Sequence, residues 1–130
     1  FNEKNNGLAI YKLIQDKLVN SVHDISAGGI IVCLSEMCIS NNIGVKLNIS
    51  KNNNNLHRYL FGEDQSRYLI EIKEENIDKV SNLLLKKGIY FDKIGKTQKE
   101  NFEISKNISI KVSELAKLNS FWFKKYFRDN

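Results

Sequence analysis

The stretch Val22-His23-Asp24-Ile25-Ser26-Ala27-Gly28-Gly29-Ile30 decides how this 130-residue chain is read. Val19 to Asp24 has the pattern of a short strand, Ser26 to Gly29 that of a turn, and Ile30 to Ser40 that of a helix. Ile30, Ile31, Cys33, Leu34, Met37 and Cys38 spread apolar character over most of that helix, which predicts burial between other elements. A strand running through two glycines into a helix admits two uses. Glycines allow close backbone approach, and a helix N-terminus offers unpaired N–H groups to an anion, with the Asp24 and Ser26 oxygens at the same rim. Equally, Ser26 can cap the helix while Gly28 and Gly29 relieve crowding in a tight turn. The lysine of a phosphate-binding loop is missing.

Outward from this point the pattern alternates helices and strands. Leu8 to Leu18 reads as a helix capped by Asn5 or Asn6, with Ile10, Leu13, Ile14 and Leu18 at helical spacing. Asn41-Asn42 ends the helix that begins at Ile30. Ile43, Val45, Leu47 and Ile49 then alternate with polar residues and Gly44, as in a half-buried strand. Asn52 to Asn55 is a low-complexity loop tip, expected to be mobile. Leu56 to Phe61 reads as a short helix, Tyr68 to Ile72 as a strand, and Glu75 to Lys87 as an amphipathic helix stopped by Gly88. Ile89 to Ile94 reads as a strand, and Phe102 to Ile104 with Ile108 to Val112 as a hairpin around Lys106-Asn107. Ser113 to Phe127 is a final helix with Leu115, Leu118 and Trp122 on its apolar side. The expectation is a single α+β domain over residues 1–130, with a mixed, mainly antiparallel sheet and helices packed on it.

A second polar segment, Phe61-Gly62-Glu63-Asp64-Gln65-Ser66-Arg67-Tyr68, leads straight into an apolar strand. Glu63 and Asp64 suit Mg²⁺ or a ribose hydroxyl, and Gln65 suits a base or an amide. The same acids can instead pair with Arg67 at the surface.

Composition narrows the classes. A hydrophobic fraction of 42% is ordinary for a globular protein. No apolar run approaches the roughly 18 residues of a membrane span, and Phe1 to Gly7 has no signal-peptide pattern. The absence of an initiator Met suggests a piece of a longer chain. The net charge of +5 does not make a nucleic-acid face. Lysines are scattered among acids, as in Lys73-Glu74-Glu75 and Asp92-Lys93, and arginine, the bidentate reader of phosphate and guanine, occurs only at Arg58, Arg67 and Arg128. The basic spot Lys124-Lys125 with Arg128, beside Tyr126 and Phe127, fits a solvated helix face. Cys33 and Cys38 have neither redox-pair nor zinc spacing and read as buried thiols in a reducing cytoplasm. His23 and Asp24, adjacent on a strand, point to opposite faces and cannot easily act on one atom, and His57 lies far along the chain. A His-based metal site is not expected.

Taken together, the two segments carry a resemblance. The order His-Asp-x-Ser-x-Gly-Gly, a helix with Ser35-Glu36-Met37, an Ile-Gly strand, and Phe-Gly-Glu-Asp-Gln-Ser-Arg-Tyr resembles the C-terminal domain of the phosphoribosylformylglycinamidine synthases. These belong with the aminoimidazole ribonucleotide synthetase-like domains. The match runs over residues 5–72 and more loosely on to the helix from Ser113-Glu114-Leu115 to Trp122. The resemblance implies an ATP-dependent ligase of purine biosynthesis that converts formylglycinamide ribonucleotide to the amidine with glutamine-derived ammonia. ATP and Mg²⁺ would serve the intact enzyme, with neither bound firmly by this piece. It implies as partners the preceding domains of the same chain, a glutaminase and the nucleotide substrate, with no nucleic acid and no membrane. No catalytic residue and no metal ligand is implied here. Asp24, Ser26, Gly28, Gly29, Glu63, Asp64 and Gln65 would line a second, auxiliary nucleotide cleft. Ala27 departs from the family, whose members often carry an acid there. The same domain type in aminoimidazole ribonucleotide synthetase or a related ATP-using enzyme, and a non-catalytic interaction module docking through the helix Ile30 to Ile39 and the tail Phe121-Trp122-Phe123, are the alternatives.

Overall fold

The computed structural model describes residues 2–49, 55–105 and 108–128. These divide into two compact units, one within Phe1–Cys33 and Asn55–Asp92, the other within Leu34–Asn54 and Lys93–Asn130. The first contains helix α1 (Asn2–Gln15), strand β1 (Ser21–Asp24), helix α3 (Leu56–Phe61), strand β3 (Tyr68–Glu71), a 3-10 turn (Glu74–Asn76) and helix α4 (Ile77–Lys86). The second contains β2 (Gly44–Leu47), β4 (Gly95–Gln98), β5 (Asn101–Ser105), β6 (Ile108–Lys111) and α5 (Val112–Arg128). Helix α2 (Gly29–Asn41) lies between β1 and β2 in the chain. The class is α+β with mainly antiparallel pairing, as expected. The strands form two sheets, a pair β1-β3 and a four-stranded sheet in the order β4-β2-β5-β6. Among the described residues only β2 and β5 pair in parallel.

In the first unit, Ala9 and Leu13 of α1, Leu18, and Val80 and Leu84 of α4 form the core, with Ile70 and Ile72 packed against it. Helix α1 begins six residues before the expected Leu8 and stops before Leu18. Its end explains why Leu18 still falls on the apolar spacing. Lys17 turns left-handed at φ +54°, and the Leu18 N–H donates back to Leu13 O at 3.0 Å, so both leucines enter the core. Helix α4 ends the same way. Gly88 is at φ +65° and Ile89 N–H donates to Leu84 O at 3.0 Å. That bond takes the Ile89 N–H out of any ladder, and the strand expected over Ile89 to Ile94 is not formed, although Ile94 O accepts from Asn48 N–H at 2.8 Å. Pairing with β2 begins only at Gly95. Asn42, at φ +51°, closes α2 where Asn41-Asn42 was expected to end it.

In the second unit, Val45, Leu47, Phe102 and Val112 are buried. A Cβ on Gly44 would lie 2.4 Å from Asn101 O, so glycine lets β2 and β5 approach. Lys46 Nζ and Glu103 Oε1 pair across these strands at 2.9 Å. That hydrogen bond holds the Glu103 carboxyl below its ordinary pKa. The expected apolar side of α5 is only begun. Leu115 is half-buried, but Leu118 and Trp122 are 60% and 62% exposed, as are Phe121, Phe123, Tyr126 and Phe127 to similar degrees. Most of the expected loop tip over Asn52 to Asn55, and the hairpin turn Lys106-Asn107, lie outside the described residues.

Candidate functional site

Antiparallel pairing of β1 with β3 brings the two polar segments together. Asp24 stands opposite Tyr68, and the Ile25 N–H donates to Arg67 O at 2.8 Å, one step beyond the ladder. The 26–29 turn and the 62–67 loop therefore emerge side by side from one strand pair.

The turn needs both glycines. Gly29 N–H donates to Ser26 O at 3.1 Å, while Gly28 and Gly29 take φ +82° and +70°. A Cβ on Gly29 would lie 2.7 Å from Leu60 O, against the last turn of α3. Beneath the turn, the fully buried Cys33 acts as both donor and acceptor. Its thiol donates to Asp24 O at 3.3 Å and accepts from Ser26 N–H at 3.5 Å.

The N-terminal end of α2 receives a carboxylate from within the chain. Gly28 N–H donates to Glu63 Oε1 at 2.8 Å. The first turn of α2 has no acidic residue of its own, so Glu63, brought in from 35 positions away, supplies the negative charge favoured there. Ser26 contributes its backbone carbonyl to the turn.

The rest of the loop is tied down by Arg67 and Asn6. Arg67 Nη1 donates to Gly62 O at 3.3 Å and lies 3.5 Å from Asp64 Oδ2, with its guanidinium 5.7 Å from the Tyr59 ring centre. Burial, and then the charge of Asp92, push the Tyr59 hydroxyl above its ordinary pKa. Asn6 was expected, as one of two candidates with Asn5, to cap α1. It lies inside that helix, and its amide donates to Ser66 O at 2.8 Å and Ser66 Oγ at 3.2 Å.

The structure thus joins the turn carrying Asp24, Ser26, Gly28 and Gly29 to the loop carrying Glu63, Asp64 and Gln65, through the Ile25–Arg67 and Gly28–Glu63 hydrogen bonds. Glu63 and Gln65 are exposed, as are the Asp24 and Asp64 side chains at 74% and 66%. His23 turns back on its neighbour, with Nδ1 2.6 Å from Asp24 O, a geometry in which Nδ1–H donates. Chemically the rim is rich in acceptors, suited to hydroxyl and amine donors. A bare phosphate at Gly28 N–H would have to displace Glu63. Among the described residues no three His, Cys, Asp or Glu side chains gather as metal ligands, and Glu63 and Asp64 already have partners within the chain.

Sequence reasoning missed two residues that build this rim. Cys33 could have been found from its inward position on the first turn of α2, seven residues after Ser26. Asn6 had no local signal, because its partner is 60 residues away.

Comparison with known proteins follows the same residues. The profile of the family described as "AIR synthase related protein, C-terminal domain" matches residues 1–106. The chain is 39% identical over 129 residues to phosphoribosylformylglycinamidine synthase subunit PurL of Pelagibacter ubique, spanning 99% of this chain and 18% of that protein. It is 35% identical to the PurL subunit of Rhodopseudomonas palustris strain HaA2, spanning 95% of this chain and 17% of that one. The chain therefore spans under a fifth of the length of these relatives. Among solved structures it resembles Thermotoga maritima PurL complexed with FGAR, with TM-score 0.73 and 19% identity over 88% of this chain and 21% of that chain. T. maritima PurL complexed with ATP matches with TM-score 0.68 and 16% identity, over 87% of this chain and 21% of that one. At such identity these two likenesses establish the fold.

Proposed function

From a chain that belongs to the family of AIR synthase related protein C-terminal domains, we propose that it works as the C-terminal domain of a phosphoribosylformylglycinamidine synthase of the small-subunit type. In this reading the longer enzyme is a cytoplasmic, ATP- and Mg²⁺-dependent ligase. It amidates formylglycinamide ribonucleotide with ammonia supplied by a glutaminase partner. The present chain contributes one wall of a nucleotide cleft, through the Asp24–Gly29 turn and the Glu63–Gln65 loop, together with part of the scaffold. The chemistry belongs to residues elsewhere in the longer enzyme.

The observation that carries this reading is the joining of the two motifs by the Glu63–Gly28 hydrogen bond at 2.8 Å, in a chain 39% identical to a PurL subunit over 99% of its length. That the solved relatives hold FGAR and ATP supports a nucleotide as the ligand class. The acceptor-rich rim favours ribose hydroxyls over a bare phosphate at this wall. The exposed aromatic face of α5 supports a chain that packs against further protein. It equally favours the second reading, a non-catalytic interaction module.

The test is an exchange. Grafted in place of the matching stretch of the Pelagibacter subunit, the chain is expected to restore purine-independent growth to a bacterium lacking its own subunit. A soluble, folded chimera that binds its partners yet gives no growth and no ATP-dependent amidation would refute the synthase reading and leave the interaction module. The alternative of a domain from aminoimidazole ribonucleotide synthetase or a related ATP-using enzyme would be checked by offering the chimera each enzyme's substrate in turn.

A further inference from the structure

The 62–67 loop owes its shape to a side chain far from it in sequence. Ser66 adopts φ +66°, the left-handed conformation that residues with a Cβ take up reluctantly. Two hydrogen bonds from one amide hold it there, Asn6 Nδ2 to Ser66 O at 2.8 Å and to Ser66 Oγ at 3.2 Å. Asn6 stands on α1, whose Ala9 and Leu13 are locked in the core, so the donor is fixed to a rigid element. On either side of Ser66 the loop reaches its other partners. Arg67 O accepts from Ile25 N–H, and Glu63 accepts from Gly28 N–H.

We infer that Asn6 is a positioning residue, which sets Ser66 left-handed and thereby aims Glu63 at the N-terminal end of α2. This deepens the proposed function and rests on it for the statement that the loop faces a ligand. The chemistry singles out an amide. An aspartate at this position has no N–H to donate and would set a carboxylate against the Ser66 carbonyl, and glutamine is one methylene longer.

Hydrogen exchange of the Gly28 amide, followed by NMR in the full chain without ligand, tests the inference. Asn6→Asp is expected to keep a dispersed spectrum while Gly28 exchanges at least about 5-fold faster, the equivalent of one net hydrogen bond. Adding Ser66→Gly, which accepts φ +66° freely, is expected to return Gly28 to within about 2-fold of the parent. Unchanged Gly28 exchange in folded Asn6→Asp, or no recovery with Ser66→Gly, overturns the inference. If Asn6→Asp does not fold, Asn6→Ser read in the same way decides it. Because no ligand is present, failure here leaves the growth test standing, and failure of the growth test leaves Asn6 standing.

Discussion

Replacing Gly29 by alanine attacks the joint between the two motifs at its tightest point. The new Cβ would lie 2.7 Å from Leu60 O and Phe61 C and 2.8 Å from Phe61 Cα, all backbone atoms that no rotamer change can move away. Its φ of +70° adds about 1–2 kcal/mol for a residue with a Cβ. Forcing α3 to shift adds about 1–3 kcal/mol, as overpacking does elsewhere. The sum, about 2–5 kcal/mol, is a large share of a typical domain's stability and corresponds to a drop in Tm on the order of 10 °C. Gly88→Ala is the control. Its φ is +65°, but nothing lies within 4 Å of its added Cβ, so only the conformational part should be lost. Thermal and urea melts followed by circular dichroism measure both. If Gly29→Ala melts no lower than Gly88→Ala, the close approach of the turn to α3 is refuted.

Two further outcomes follow from other contacts. Cys33→Ala removes the thiol that bonds both Asp24 O and Ser26 N–H, and urea melts should show a loss of about 1–2 kcal/mol. Lys46→Met should raise the Glu103 pKa toward its ordinary 4.5 in an NMR titration, because the Lys46 hydrogen bond is the main cause of its depression. The sign follows from that depression. The pair stabilises the fold above the unfolded-state pKa, and the benefit fades as acidification carries pH down through the folded value, so parent and variant should converge in stability below it.

Much of this fold is legible in local pattern. Alternation at Val45 and Leu47 marks β2, and the spacing of Val80 and Leu84 marks α4. Gly88 and Asn42 mark helix ends because a left-handed stop residue is a local requirement. The Ser26–Gly29 turn is legible for the same reason. Distant partners account for the remainder. Ile89 to Ile94 reads as a strand, but the Ile89 N–H is committed to closing α4. Asn6 looks like a cap and is instead a clamp on Ser66. Leu115, Leu118 and Trp122 of α5 have the spacing of a packed helix, yet Leu118 and Trp122 are exposed in this chain. Of the rim itself, sequence supplies the two segments and not the bond between them. Glu63 could be read as a metal ligand, a ribose acceptor or a surface ion-pair acid until strand pairing carried it to Gly28.

The central claim is that this chain builds a ligand wall and does not carry out the chemistry. It is tested most directly by Glu63→Ala in the full-length chimera, with turnover, thermal stability and bound nucleotide measured on the same preparation. The account predicts a lower Tm, through the loss of about 1 kcal/mol of charge-assisted capping, and weaker nucleotide retention. It also predicts kcat within about a few-fold of the parent, because a residue that only helps to hold a ligand affects binding and leaves the rate at saturating substrate largely unchanged. A collapse of kcat with Tm and nucleotide content unchanged would contradict it and make Glu63 a catalytic residue.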